Sequence, residues 1–248
     1  MAVLRSPVGF ALVLSAILPL SLGCSSGEGE PSAASIGSSS ASAGSDAGPD
    51  SKRIVTEPVQ VRAGQASNHT PAQSPQRAHA PEVLLKTSAG DIRLRLNAEK
   101  APLTVDNFLS NYVVRGFYEG TVIHYVEKGF MLAGGGYTAE LQPKATRAFI
   151  KSEADNGLQN KRGTIAMVRQ PEHADSATSQ FFINLADNPG LNHGEAEGTD
   201  TAGYCVFGEV VEGMEVVDQI AEVPVGDRGS FPKTPVNPVV IRSAEWLR

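Results

Sequence analysis

The chain has 248 residues, 41% of them hydrophobic and 19% charged, with 27 Asp and Glu against 21 Lys and Arg for a net charge of −6 at neutral pH. An acidic chain without a basic run is a poor match to nucleic acid, whose binding rests on Lys and Arg meeting phosphate. The length suits one domain or two, and the uneven placement of apolar residues argues for one domain with an appendage.

Met1 to Gly23 carries one early charge, Arg5, followed by an apolar run from Val8 to Leu22 broken only by small residues. That pattern reads as a secretory signal peptide, and the run is shorter than the roughly 20 residues of a spanning helix. Ser21-Leu22-Gly23 leads into Cys24 with no charge nearby, as in a bacterial lipoprotein signal. Cys24 is the expected lipid-attachment site, and simple cleavage and secretion is the alternative. The only other cysteine, Cys205, is expected to be a buried small hydrophobe in no disulfide. The expected location is the cell envelope, with the domain lipid-anchored outside the cytoplasmic membrane.

Residues 24–81 are Ser, Ala, Gly and Pro with scattered charge, and hold too few large apolar residues to bury a core. As a flexible tether they would span roughly 40 Å. His69 and His79 fall within it, as solvated side chains.

From residue 82 to 248 the pattern changes. Val83–Lys86 and Ile92–Leu96 flank Thr87-Ser88-Ala89-Gly90-Asp91 and read as a hairpin, with Ile92, Leu94 and Leu96 alternating against Arg93 and Arg95. Pro102 opens a helix whose apolar positions Val105, Phe108, Leu109, Tyr112 and Val113 recur at three and four residues until Gly116. Val122–Val126 and Phe130–Ala133 form strands about a Glu127-Lys128-Gly129 turn. Gly134-Gly135-Gly136 follows, suited to a sharp bend, a barrel corner or close approach to a bound chain. Tyr137–Arg162 is a polar connection long enough to expect a functional role. Strands follow at Thr164–Met167, Gln180–Asn184, Cys205–Val210 and Pro238–Trp246, with a second helix marked by Met214, Val217 and Ile220. The predicted fold is all-β dominated: a closed eight-stranded antiparallel barrel capped by two α-helices.

Three blocks carry a resemblance to a known family. Val122-Ile123-His124-Tyr125-Val126 with Phe130-Met131-Leu132-Ala133-Gly134-Gly135 is one. Gly163-Thr164-Ile165-Ala166-Met167 with Asp175–Asn184 is the second, and Gly203-Tyr204-Cys205-Val206-Phe207-Gly208 the third. In this order and spacing they resemble the cyclophilin peptidyl-prolyl isomerases, nearest the periplasmic bacterial branch. The resemblance implies the same barrel, a proline-binding slot of Phe130, Met131, Phe182 and Leu191, and Gln180 holding the substrate backbone. Tyr204 stands where many members carry histidine, and His124 matches the family's histidine beside the site. Tyr125 stands where the catalytic arginine belongs, Ala133 where a glutamine steadies it, and Gly190 where a large aromatic often rims the pocket. Arg169, in the loop after Met167, is either a partial substitute or a solvated loop charge.

The chemistry this implies is rotation about an X-Pro bond, whose barrier of about 18–20 kcal/mol comes from amide resonance. It needs an apolar slot, holders for the flanking backbone and a donor that favours the twisted amide, but no covalent step, cofactor or metal. Tyrosine offers one neutral donor against five on a permanent cation, so an isomerase of reduced rate is expected, with Tyr125 and Gln180 in the catalytic roles. Its expected partners are proline-containing peptides and unfolded exported proteins, with the chain acting as a monomer. The alternative is a proline-peptide binding module or chaperone without useful turnover.

Overall fold

A computed structural model describes residues 80–195 and 201–247. The expected signal peptide, Cys24 and the tether through His79 lie outside them. The described residues form ten strands, and eight close into an antiparallel barrel. These are β1 (Glu82–Thr87), β2 (Asp91–Leu96), β3 (Thr121–Glu127), β4 (Met131–Thr138), β5 (Thr164–Met167), β6 (Phe181–Asn184), β7 (Val206–Glu212) and β10 (Val239–Leu247), ordered β1-β10-β3-β4-β6-β5-β7-β2. All eight barrel strands correspond to strands predicted from the sequence.

Two features depart from expectation. The first helix is α-helical only over Pro102–Asp106 (α1) and continues as a π-helical stretch, Asn107–Val113, ending short of Gly116. The unforeseen one is a separate hairpin of β8 (Val225–Arg228) and β9 (Phe231–Pro235). Its polar, proline-bearing sequence has no alternating apolar face, so it gives no strand signal.

The barrel interior is filled. Leu85, Leu94, Leu96, Leu132, Ile165, Phe181 and Phe207 are fully buried in one apolar cluster, with Phe108 and Tyr112 of the first helix and Val217 and Ile220 of α2 (Met214–Ala221) packed into it. Cys205 is free and buried against this cluster, and burial pushes its thiol up to about 11. With the inside occupied, a ligand surface has to be built on the outer face.

The long connection after β4 fastens loops to that face. Glu153 accepts from the Leu103 and Thr104 backbone amides (3.0 and 2.8 Å) and the Thr104 hydroxyl, capping α1 where Ala101 offers no side-chain cap. Asn160 is buried; its amide nitrogen donates to the carbonyl of Leu191 (3.0 Å), and its backbone N–H donates to Asn192 Oδ1 (2.7 Å). Asn184 donates to Asn160 Oδ1 (3.2 Å), and Asn188 donates both to Asn184 Oδ1 (2.7 Å) and to the Phe130 carbonyl (2.9 Å). This asparagine cluster ties the β3–β4 turn, the turn at Pro189–Leu191 and the long connection into one support. Replacing Asn160 by Ala strands several buried partners, each costing about 1–3 kcal/mol. Denaturant unfolding of Asn160→Ala should show a loss of about 2–3 kcal/mol, and a loss within experimental error would contradict the assigned role.

Candidate active site

Strand register writes the site. Ala133 in β4 lies opposite Tyr125 in β3 on one side and Phe182 in β6 on the other; Phe182 faces Ala166 in β5, and Ala166 faces Val206 in β7. Side chains on one face of neighbouring strands form such rows because the pleat alternates with period two. The neighbouring row, Leu132, Ile183 and Ile165, points into the barrel. The outer row is the floor of a second apolar cluster: Met131, Ala133, Ala166, Val168, Phe182, Leu191 and Val206 are buried in it, with Tyr125, Phe130, Leu158 and Tyr204 packed around it.

Six of the residues singled out from the sequence therefore meet: Tyr125, Phe130, Met131, Phe182, Leu191 and Tyr204. Phe182 and Tyr204 meet edge to face, with centroids 5.6 Å apart. Gln180 stands just before β6, where Gly136 makes room for it: a Cβ there would fall 2.5 Å from Gln180 Cγ. Its amide donates to the Tyr137 hydroxyl, while Oε1 is buried with no hydrogen-bond partner. Gln180 also lines a cavity of ≈ 120 Å³ beside the apolar floor, together with Gly136, Tyr137, Lys144, Phe149 and Arg169. The glycine run thus serves close packing: Gly135 holds a left-handed φ of 82° with core rings against it, and Gly136 admits the glutamine.

Arg169 is committed elsewhere than the slot. It is 4% exposed, its Nε donates to the Gly203 carbonyl (2.7 Å), and one terminal nitrogen donates to the carbonyls of Gln170 (3.0 Å) and Pro171 (2.8 Å). Its guanidinium lies 4.7 Å from the Tyr204 ring centroid, so it orders the loop and supports that ring from outside. It is not a solvated loop charge. The asparagine cluster was missed as a positioning set in the sequence, although the recurrence of Asn at 160, 184, 188 and 192 around the matched blocks was its visible trace.

Tyr125 does not present a free hydroxyl. It donates to Glu127 Oε2, and Glu127 also pairs with Lys233 Nζ at 2.6 Å. Burial first, and then the Glu127 carboxylate, hold the phenol well above the usual tyrosine range. Burial would raise the Glu127 carboxyl, but hydrogen bonds from Lys233 and Tyr125 outweigh it and hold the group below its ordinary value.

His124 is not brought into the slot. It is 5% exposed, with its ring edge-on to Tyr137 (4.9 Å between centroids) and Phe231 (6.2 Å). The register of β3 against β4 shifts between Ile123 and Tyr125, with Ile123 and Val126 both in the barrel core, so His124 and Tyr125 are not separated by simple alternation; His124 packs instead beside the slot, against Tyr137 and the β8–β9 hairpin. Burial pushes the imidazole down to about 4, against a hydrogen bond at Val122 that raises it. Between about pH 6.5 and 4 the unfolded chain therefore binds a proton at His124 that the folded chain does not, and stability falls as pH falls. The contribution is up to about 1.4 kcal/mol per pH unit. His124→Asn should flatten the acid limb of a plot of urea midpoint against pH relative to the parent; an unchanged limb would contradict the buried neutral state.

Comparison with known proteins agrees with this geometry. The profile of the family described as "Cyclophilin type peptidyl-prolyl cis-trans isomerase/CLD" matches residues 82–246. Peptidyl-prolyl cis-trans isomerase A of Dickeya dadantii (strain 3937) is 52% identical over 166 residues, which cover 67% of this chain and 84% of that protein. Peptidyl-prolyl cis-trans isomerase B of Escherichia coli (strain K12) is 49% identical over 162 residues, covering 65% and 96% respectively. In fold, a crystal structure of a cyclophilin-type isomerase from Cryptosporidium parvum superposes with a TM-score of 0.56, covering 68% of this chain and 98% of its own, at 23% identity. A closed barrel with a packed interior, an apolar row across its outer face, and half-identity to curated isomerases along that whole barrel lead to one conclusion: the chain belongs to the cyclophilin-type peptidyl-prolyl cis–trans isomerases.

Proposed function

We propose that this isomerase acts on proline-containing segments of exported proteins outside the cytoplasmic membrane, held there through Cys24, and turns over more slowly than relatives bearing arginine at the position of Tyr125. The observation that carries the rate argument is the pairing of Tyr125 with Ala133 across β3 and β4, with the Tyr125 hydroxyl directed to Glu127. The proline ring rests on Phe182, Met131 and Leu191, with Phe130 and Tyr204 at the sides. Gln180 Oε1 takes a backbone N–H of the bound segment, and the cavity beside Gln180 receives a flanking side chain. A Cryptosporidium parvum structure of the same fold was obtained in the presence of the dipeptide Ala-Pro, which supports a proline-containing ligand. The apolar leader before Cys24 supports export.

Rotation of the seated bond moves electron density from the carbonyl back onto the prolyl nitrogen, and a donor to that nitrogen lowers the barrier. A hydrogen bond involving a charged partner contributes about 1.5–3 kcal/mol where a neutral one gives about 1. Losing one to two kcal/mol is roughly a five- to thirtyfold loss of rate. In a protease-coupled proline-peptide assay the mature chain should exceed the uncatalysed rate, and Tyr125→Arg should raise kcat/KM by about that factor. Turnover equal to the uncatalysed rate would favour the second reading, a proline-peptide holder, motivated by the same Tyr125–Ala133 pair. Turnover that Tyr125→Arg leaves unchanged would refute the role given to position 125.

A further inference from the structure

The hairpin β8–β9 carries a charge to the edge of the slot that no feature of the apolar cluster explains. Thr234 Oγ1 donates to the His124 carbonyl in β3 (2.9 Å), and the Phe231 ring packs on Tyr137 of β4 with centroids 4.8 Å apart, so the hairpin is latched to both the strand that bears Tyr125 and its neighbour. Between these two contacts sits Lys233. Its backbone lies in the left-handed region, φ 51°, which a residue with a Cβ adopts only where its surroundings require it. That places its ammonium 2.6 Å from Glu127 Oε1 and 5.9 Å from the centroid of the Tyr125 ring. Glu127 thus holds two donors at once, the Tyr125 hydroxyl on one oxygen and Lys233 on the other.

The arrangement matters because Tyr125 has one proton to give. An uncompensated carboxylate beside it would retain that proton and set a negative charge next to a nitrogen whose lone pair is being exposed by twisting. A carboxylate whose charge is shared with an ammonium binds the phenol less strongly than a bare one, so the hydroxyl, held on Glu127 while the slot is empty, can exchange that acceptor for the seated proline.

We propose that Lys233 is a positioning residue for the isomerase reaction: by sharing the Glu127 charge it lets the seated proline compete with Glu127 for the Tyr125 hydroxyl, so that the cationic device of the family is rebuilt in this chain from three side chains on two separate sheets. The proposal rests on the isomerase reading of the slot. It concerns kcat more than KM, since the apolar floor that seats the proline ring is untouched by the change.

The test is a mutant cycle on the mature chain in the proline-peptide assay. Lys233→Met should lower kcat about fivefold with KM nearly constant, the magnitude of one neutral hydrogen bond, while Lys233→Arg keeps kcat near the parent value. In a Glu127→Gln background, where there is no carboxylate to neutralise, Lys233→Met should have no effect on kcat. An unchanged kcat in Lys233→Met, or the same fivefold loss in the Glu127→Gln background, would overturn the proposal. Urea unfolding of each variant separates loss of fold from loss of positioning. A parent chain without turnover would instead defeat the isomerase reading itself, whereas an active parent indifferent to Lys233→Met defeats this inference alone.

Discussion

A closed barrel whose interior is fully packed leaves the chain no place for a ligand except the outer face, and that constraint organises the rest of the structure. Phe181 and Phe182 divide the two duties within one dipeptide: Phe181 is buried among the core rings of Phe108 and Tyr118, and Phe182 lies in the outer cluster. A slip of one residue in β6 would exchange them. Register between β4 and β6 is therefore a functional quantity as well as a structural one. The alanine at 133 and the alanine at 166, flanking Phe182 on both sides, keep the floor of the row low beside that ring.

The outer face is shaped by support from behind and from the sides. Asn160, Asn184, Asn188 and Asn192 hold the backbones of Phe130 and Leu191, which have no regular ladder of their own at those points. Arg169 does the same for Tyr204, using carbonyl hydrogen bonds and its stacked guanidinium. An apolar site made from loop residues needs such polar anchoring, because apolar contacts alone do not set direction. A second charged group stands at another edge, where Tyr125, Glu127 and Lys233 meet.

Much of this was legible in the sequence for identifiable reasons. The barrel strands announce themselves by alternation, as at Ile92, Leu94 and Leu96, or by β-branched and aromatic runs, as at Val122–Val126. The apolar slot followed from the matched blocks, and the structure brings Tyr125, Phe130, Met131, Phe182, Leu191 and Tyr204 together. The β8–β9 hairpin was invisible because Gly226, Gly229, Pro232 and Pro235 give it loop chemistry, and its packing is decided by Phe231 and Thr234 against distant partners. For the same reason the partner of Tyr125 was hidden: Lys233 is over a hundred residues away in the chain, and no local pattern links them. The glycine run was legible as a place of close approach, but not as the seat of Gln180. The surroundings of His124 were hidden too, because they are set by an irregularity in β3 and by the distant Phe231, neither of which a local pattern displays.

The account depends on the proline being received on the outer row of β3, β4, β6 and β5, with the barrel interior left closed. The most direct measurement is a crystal structure of the chain with an Ala-Pro-containing peptide. The account requires the proline ring against Phe182, Met131 and Leu191, with a peptide N–H within hydrogen-bond distance of Gln180 Oε1. A peptide seated inside the barrel, or on any face away from Phe182, would contradict it.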